Sequence, residues 1–350
     1  MGRQRPAAGP ASYAAAGVDL DAADDVVARI KGIVASTARR GVLGGAGGFA
    51  GLFSLDTERY PHPVLVASTD GVGTKLLVAQ AADRYDTVGV DLVAMCVDDL
   101  VCVGAEPLFL LDYLAVGRLD PDRVETLVGG VAEGCRRAGC ALLGGETAEH
   151  PGAMGKDDFD LAGCAVGVLE RGSALGPERV RPGDVLVGLL SPGLRSNGYS
   201  LARHVLLERA GRSLEGPAWA GASHSLADEL LVPSVIYARA VLAAVAAGGV
   251  HAAAHITGGG IGGNLARILP EGVGAEVERA AWSEPRIFAE IAQAGEIAAD
   301  EMARVFNLGL GMILAADAGS ADGVVAALGA AGVPSAIVGE VVAGDGVRLA

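Results

Sequence analysis

Apolar positions recur along the chain in two periods, and the switches between them outline the fold. Val26, Val27, Ile30, Ile33 and Val34 return at helical spacing behind an acidic first turn, and Arg39, Arg40 and Gly41 close the stretch. That pattern predicts an amphipathic helix, which also carries Lys31. Residues 41–53, GVLGGAGGFAGLF, are too rich in glycine for regular structure and read either as a lid over a ligand or as a linker. An apolar strand at 63–67 is followed by Ser68-Thr69-Asp70-Gly71-Val72-Gly73-Thr74-Lys75. A helix is predicted over 88–103, with apolar positions 88, 92, 95 and 103. Gly104-Ala105-Glu106-Pro107 ends it and feeds a strand over 108–116. Pro121 opens a helix to 139, and strands follow at 141–143 and 159–169.

The polar, proline-bearing segment 171–183 reads as a boundary, after which the pattern starts afresh. It holds a strand at 185–190, helices from Leu201 and over 230–247, a strand into His255, and strands at 309–315 and 336–342 around a helix over 322–331. The expected organisation is a disordered tail at 1–12, an N-terminal domain at 13–172 and a C-terminal domain at 173–350, both α/β, without a strict internal repeat.

Bulk properties narrow the class. A chain of 350 residues is long enough for two domains, and 51% hydrophobic with 20% charged residues suits a soluble α/β enzyme and excludes a disordered chain. A net charge of −15 argues against a nucleic-acid or acidic-membrane partner, so any phosphate must be met by a local field, with a metal as mediator. The five cysteines form no CxxC pair and read as buried reduced thiols, which points to the cytoplasm. The first ten residues lack the apolar core of a signal peptide, and no apolar run approaches the roughly 20 residues of a membrane span.

Chemistry concentrates in five stretches. In 68–75, Gly71 and Gly73 let backbone N–H groups approach an anion, Thr74 and Lys75 add donors, and Asp70 can hold a hard cation. Its spacing is neither the P-loop pattern nor the dinucleotide fingerprint, which also removes the dehydrogenase reading. On the 88–103 helix, Asp91 and Asp98 are nearly eclipsed, while Asp99 points about 80° away at about 100° per residue. A solvated face is the default for each of the three. Asp99, near the helix C-terminus, opposes the macrodipole and invites a cation. Gly144-Gly145-Glu146-Thr147 reads as a turn presenting a carboxylate at a strand end, either at a ligand or simply exposed. Ser196, Asn197, Gly198 and Ser200 put donors at a helix start, as an anion or sugar site or as ordinary caps. His255-Ile256-Thr257-Gly258-Gly259-Gly260 repeats strand, glycine nest and helix, a stronger anion signal, although His255 alone reads as a hydrogen-bonded core histidine.

The joint order of DGVGTK, DLVAMCVDDL, Asp99-x4-Gly104-Ala105-x-Pro107, GGET, SNGYSL, HITGGG and Phe306-Asn307-Leu308-Gly309 resembles the aminoimidazole ribonucleotide synthetase (phosphoribosylformylglycinamidine cyclo-ligase) family over 13–342. The resemblance implies a two-domain ATP-binding cyclo-ligase fold in which the N-terminal sheets of a homodimer pair into a barrel. It also implies ATP-dependent ring closure of a small ribonucleotide in purine biosynthesis. By the same resemblance Asp70, Asp99 and Glu146 hold Mg²⁺. Lys31, Gly48, Asp70, Gly71, Gly73, Thr74, Lys75 and Glu146 surround ATP, with Lys75 on its phosphates. Ser196, Asn197, Thr257, Gly258 and Gly259 take the substrate, and Asp99, Lys75 and His255 are the catalytic candidates.

Two positions depart from the family pattern. Arg195 stands where a histidine is expected and reads as a phosphate contact. Asp98 stands where asparagine is expected, either adding metal affinity or, as the preferred reading, facing solvent without effect. Related selenophosphate synthetases carry a cysteine ahead of the glycine loop, whereas the first cysteine here is Cys96. Thiamine phosphate kinases and hydrogenase-maturation relatives lack the SNGYSL and FNLG combination. A catalytically silent ATP-binding dimer would have no use for Asp70, Lys75, Asp99 and Glu146 together.

Overall fold

The computed structural model describes residues 13, 17–18, 20–44 and 47–350, so the tail expected at 1–12 lies outside the described residues. Two short strands, β1 (Val42–Leu43) and β2 (Leu52–Phe53), pair antiparallel. The N-terminal sheet comprises β3 (Pro63–Gly71), β4 (Glu106–Val116), β5 (Ala141–Glu149) and β6 (Phe159–Glu170), in the order β3-β6-β4-β5. All its pairings are antiparallel except β4 with β5. The C-terminal sheet comprises β7 (Val185–Leu190), β8 (Val250–His255), β9 (Val273–Val277), β10 (Leu310–Ala316), β11 (Ser335–Ala343) and β12 (Val347–Leu349), in the order β12-β9-β11-β7-β10-β8. This mixed α/β architecture agrees with the sequence reading.

Helices α1 (Leu20–Ala35), α2 (Lys75–Ala81), α3 (Val88–Cys102) and α4 (Pro121–Ala138) belong to the N-terminal half. Local chemistry sets the ends of α4: the Asp120 side chain accepts from the Asp122 and Arg123 N–H groups, Pro121 occupies the first turn, and Gly139 closes the helix at φ 81°. The α3–α4 contact is close because Gly89 leaves room, since a Cβ there would lie 2.2 Å from the Val131 nitrogen. Every residue of α3 except Asp99 and Cys102 is buried. One side packs on β3 and β6, the other on β8 and the helix Ala238–Ala247 of the C-terminal half. The solvated face expected for α3 is therefore absent.

Four local readings change. The 41–53 stretch, read as irregular, carries the paired strands β1 and β2 near its two ends. Strand β5 runs on through Gly144-Gly145-Glu146-Thr147, which is not a turn. Gly145 pairs with Asp112, and a Cβ on it would lie 1.8 Å from Asp112 Oδ1, so its smallness serves side-chain room rather than chain reversal. Strand β3 likewise continues to Gly71, putting Asp70 on a strand. The helix expected over 230–247 is interrupted between Leu226–Leu230 and Ala238–Ala247. Pro233 has no N–H to give a helix, and the Val232 carbonyl and the Ser234 and Tyr237 N–H groups are bonded instead to side chains of the N-terminal half.

Away from α3 and α4, the N-terminal sheet leaves a face uncovered, with Leu65 64%, Leu111 39% and Tyr113 42% exposed. All five cysteines are free, with Cys96, Cys135 and Cys140 buried. Among the described residues no helix is long and apolar enough to cross a membrane.

Candidate active site between the two halves

The three carboxylates of α3 organise the contact between the halves. Asp91 lies 2.6 Å from the Lys75 ammonium, with both side chains fully buried, and its Oδ1 accepts from Ser234 N–H at 2.8 Å and Ser234 Oγ–H at 2.6 Å. One face and two turns along, Asp98 Oδ2 accepts from Arg195 Nη2 at 2.8 Å and its Oδ1 accepts from Tyr237 N–H at 2.9 Å. Asp98 is completely buried, so the solvent-facing reading is corrected. The two departures from the family pattern, Arg195 and Asp98, are each other's ionic partners.

Lys75 also turns inward, donating to the Val232 carbonyl at 2.8 Å and the Arg195 carbonyl at 3.2 Å. Burial drives its pKa down and the Asp91 charge opposes that shift. An ammonium sealed at 0% exposure does not reach a phosphate in the site, so the expected direct contact is not what this geometry provides. Arg195 is equally committed, with Nη1 on the Val235 carbonyl at 2.7 Å and Nη2 shared between Asp98 and His255.

Asp99 faces outward, its side chain 45% exposed. Its Oδ1 lies 2.9 Å from His255 Nδ1, and its Oδ2 accepts from Ser68 Oγ–H at 3.0 Å. Burial would push its pKa up, but the hydrogen bonds from His255 and Ser68 more than offset that and hold it below the usual carboxylate range. Asp70 stands two residues from Ser68, on the same side of β3, where its own Gly71 N–H donates to Oδ1 at 2.7 Å. Burial raises the Asp70 pKa and the neighbouring Asp99 charge adds to it.

Two small-residue loops of the C-terminal half complete this region. Thr74 Oγ1 lies 3.0 Å from Ser200 Oγ, joining the 71–74 turn to the 196–200 segment. In that segment the Ser196 Oγ and Asn197 Oδ1 atoms are buried without a protein partner, as donors and acceptors awaiting a ligand would be. The 257–260 loop is shaped by Asn264, whose amide donates to the carbonyls of Thr257, Gly258 and Gly260 at 3.3, 3.2 and 2.9 Å. With those carbonyls turned toward Asn264, Gly258 and Gly259 stay exposed.

Glu146 does not join Asp70 and Asp99. Register runs Asp70–Gly163–Asp112–Gly145 across the sheet, which sets β5 three strand spacings, or about 14 Å, from β3. Glu146 pairs with Tyr113 on the opposite, open face. Ligands of one Mg²⁺ ion lie within about 4 Å of one another, so a three-carboxylate site is not formed within the chain. Among the described residues no cluster of three metal-binding side chains occurs. Glu146 instead shares a cavity of about 1240 Å³ with Lys31, Gly48 and Asp112, reaching Leu65 and Leu111 on the open face. The candidate residues thus fall into two groups: one between the halves, and one over the edge strand.

Comparison with known proteins gives this arrangement a context. Residues 50–169 match the model for AIR synthase related protein, N-terminal domain, and residues 181–350 match the model for AIR synthase related protein, C-terminal domain. The chain is 48% identical over 331 residues to the phosphoribosylformylglycinamidine cyclo-ligase of Trichlorobacter lovleyi, covering 95% of both chains. To that of Anaeromyxobacter dehalogenans it is 51% identical over 333 residues, covering 95% of this chain and 96% of the relative. The chain belongs to the AIR synthase family.

Other members of this fold are more distant. The thiamine-monophosphate kinase of Stenotrophomonas maltophilia superposes with a TM-score of 0.66 at 22% identity, covering 93% of this chain and 94% of that one. The hydrogenase maturation protein HypE, in its complex with ATP, superposes with a TM-score of 0.60 at 22% identity, covering 85% and 80%. Within this AIR synthase family member, sequence reasoning missed the structural work of Asp91, Ser234, Tyr237 and Asn264. The eclipsed spacing of Asp91 and Asp98 is the one local signal, since it turns both toward the same 234–237 segment.

Proposed function

We propose that the chain catalyses the ATP-dependent cyclisation of formylglycinamidine ribonucleotide to 5-aminoimidazole ribonucleotide, with release of ADP and phosphate, in purine biosynthesis. The observation that carries this reading is the contact region between the halves, where the outward Asp99 carboxylate meets His255 ahead of the 257–260 loop and Thr74 meets Ser200 in the segment that bears the unpartnered Ser196 and Asn197 oxygens. In this chemistry the formamide oxygen attacks the γ-phosphate and the amidine nitrogen closes onto the activated carbon, displacing phosphate. The amidine is itself basic, so the protein's work is positioning and charge stabilisation.

Ser196, Asn197, Thr257, Gly258 and Gly259 take the ribonucleotide, and the 71–74 turn meets the ATP phosphates. Asp70 and Asp99 suit a magnesium ion: they are two hard oxygen donors whose charges repel, with room for the waters and phosphate oxygens that magnesium retains. Bound there, the ion would neutralise phosphate charge. Glu146 with Lys31 and Gly48 belongs to the nucleotide cavity.

The chain works as a homodimer of two-domain subunits, 13–172 and 173–350, in the cytoplasm. The exposed Leu65, Leu111 and Tyr113 face supports pairing of two N-terminal sheets into a barrel, and Glu146 on that face would then line a site completed at the interface. The deciding experiment is incubation with synthetic formylglycinamidine ribonucleotide and MgATP while following aminoimidazole formation. An absence of substrate-dependent ADP release overturns the reading.

A further inference from the structure

Arg195 occupies an unusual position for a residue expected at a ligand. It is 2% exposed, its φ of 63° is left-handed, and its carbonyl accepts from the Lys75 ammonium at 3.2 Å, which pins that conformation. Its guanidinium lies over the Tyr237 ring, 4.8 Å from the centroid, and is clamped by Asp98 at 2.8 Å. Nη1 donates to the Val235 carbonyl at 2.7 Å, and Nη2 also lies 3.0 Å from His255 Nε2.

That contact fixes a proton. A guanidinium carries only N–H donors and no acceptor, so His255 Nε2 must accept. The ring's one proton then sits on Nδ1, where it is donated to Asp99 Oδ1 at 2.9 Å. With Ser68 Oγ–H on Oδ2, each Asp99 oxygen has one lone pair engaged and the rest turned outward. A polar chain thus runs from buried Asp98 through Arg195 and His255 to the exposed Asp99 carboxylate.

We propose that Arg195 is a positioning residue: held by Asp98, it sets the His255 tautomer and through it the orientation of the Asp99 carboxylate, without touching phosphate itself. His255 is then an orienting donor whose Nε2 lone pair is already occupied, which removes it as a general base. What Asp99 is aimed at rests on the proposed function; the tautomer does not.

The test uses full-length protein carrying ¹⁵N in its six histidines, with His255 assigned by comparison with His255→Gln. Long-range ¹H–¹⁵N spectra at neutral pH should show His255 protonated on Nδ1 and bare on Nε2. In Asp98→Asn/Arg195→Met, which leaves no buried charge unpaired, the tautomer preference should be lost and kcat should fall about 10- to 100-fold, the usual effect of losing a group that orients a ligand. KM for the ribonucleotide should change by less than about threefold. Arg195→Lys, which restores a donor beside Asp98, should recover the tautomer and most of kcat. A wild-type His255 protonated on Nε2, or on both nitrogens, overturns the proposal. So does a double variant that keeps the tautomer and kcat while KM rises, since Arg195 would then be a phosphate contact. The nitrogen shifts are read without substrate, so a wild-type enzyme that fails to cyclise formylglycinamidine ribonucleotide would sink the proposed function and leave the tautomer to the spectra.

Discussion

The Lys75 ammonium and the Asp91 carboxylate meet at 2.6 Å where neither side chain has any exposure. A lysine that its neighbours mark as a phosphate contact is instead an internal strut, tied through the Val232 and Arg195 carbonyls to the C-terminal half. Lys75→Met would leave Asp91 charged and buried with only Ser234 to donate to it, at a cost of about 3–5 kcal/mol. Calorimetry should show a large fall in Tm for Lys75→Met and substantial recovery in Lys75→Met/Asp91→Asn. A Lys75→Met protein as stable as wild type but unable to bind ATP would restore the phosphate reading.

Asp99→Asn should behave differently, because this side chain is 45% exposed and an exposed contact such as its bond to His255 across the halves contributes little to stability. Turnover should drop at least about 10²-fold, the usual loss when a charge-stabilising group is removed. Melting temperature should change little. Turnover near the wild-type level would remove Asp99 from the chemistry.

Two glycines of the 257–260 loop, Gly258 and Gly260, have separable roles. A Cβ at Gly258 meets nothing within 4 Å, whereas one at Gly260, with φ 64°, would lie 1.8 Å from the Ala303 carbonyl oxygen. Gly260→Ala should therefore lower Tm and disturb the fold locally. Gly258→Ala should fold like wild type yet raise KM for the ribonucleotide if the substrate approaches that backbone. Unchanged kinetics in Gly258→Ala would move the substrate off this loop.

Asp112 supplies a pH signature. Burial pushes its carboxyl up to about 7, whereas in the unfolded chain it titrates near the ordinary value of about 3.9. Between those two values the folded protein holds a proton that the unfolded chain has released, so this group's contribution to stability declines as pH rises through the window and is level above it. Asp112→Asn should gain in Tm over wild type, and the gain should be larger at about pH 8 than at about pH 5. An equal gain at both would show that Asp112 is ionised throughout.

Much of the fold was legible from local pattern. The periods of 3.6 and 2 placed α1, α3, α4 and most strands within a few residues, because a one-sided apolar stripe reports the element that buries it. The motifs 68–75, 196–200 and 255–260 were likewise visible, since glycine and hydroxyl spacing is a property of contiguous chain. Glycine was ambiguous: at Gly144-Gly145 the same residues that suggest a turn lie inside β5 to make room for Asp112.

By itself the sequence determined the element order, the small-residue loops, and the fact that Asp91 and Asp98 share a helix face while Asp99 does not. Only the tertiary structure decided what those carboxylates meet. Arg195 reaches Asp98 from 97 residues away and His255 reaches Asp99 from 156, and no local periodicity encodes contacts at such separations. Whether a charged side chain points at solvent, ligand or another charge depends on what covers it, and burial makes pairing obligatory once a second half closes over the helix. For that reason Lys75 and Arg195, both read as phosphate contacts, became the braces of the site, and Glu146 was parted from Asp70 by three strand spacings and a sheet face.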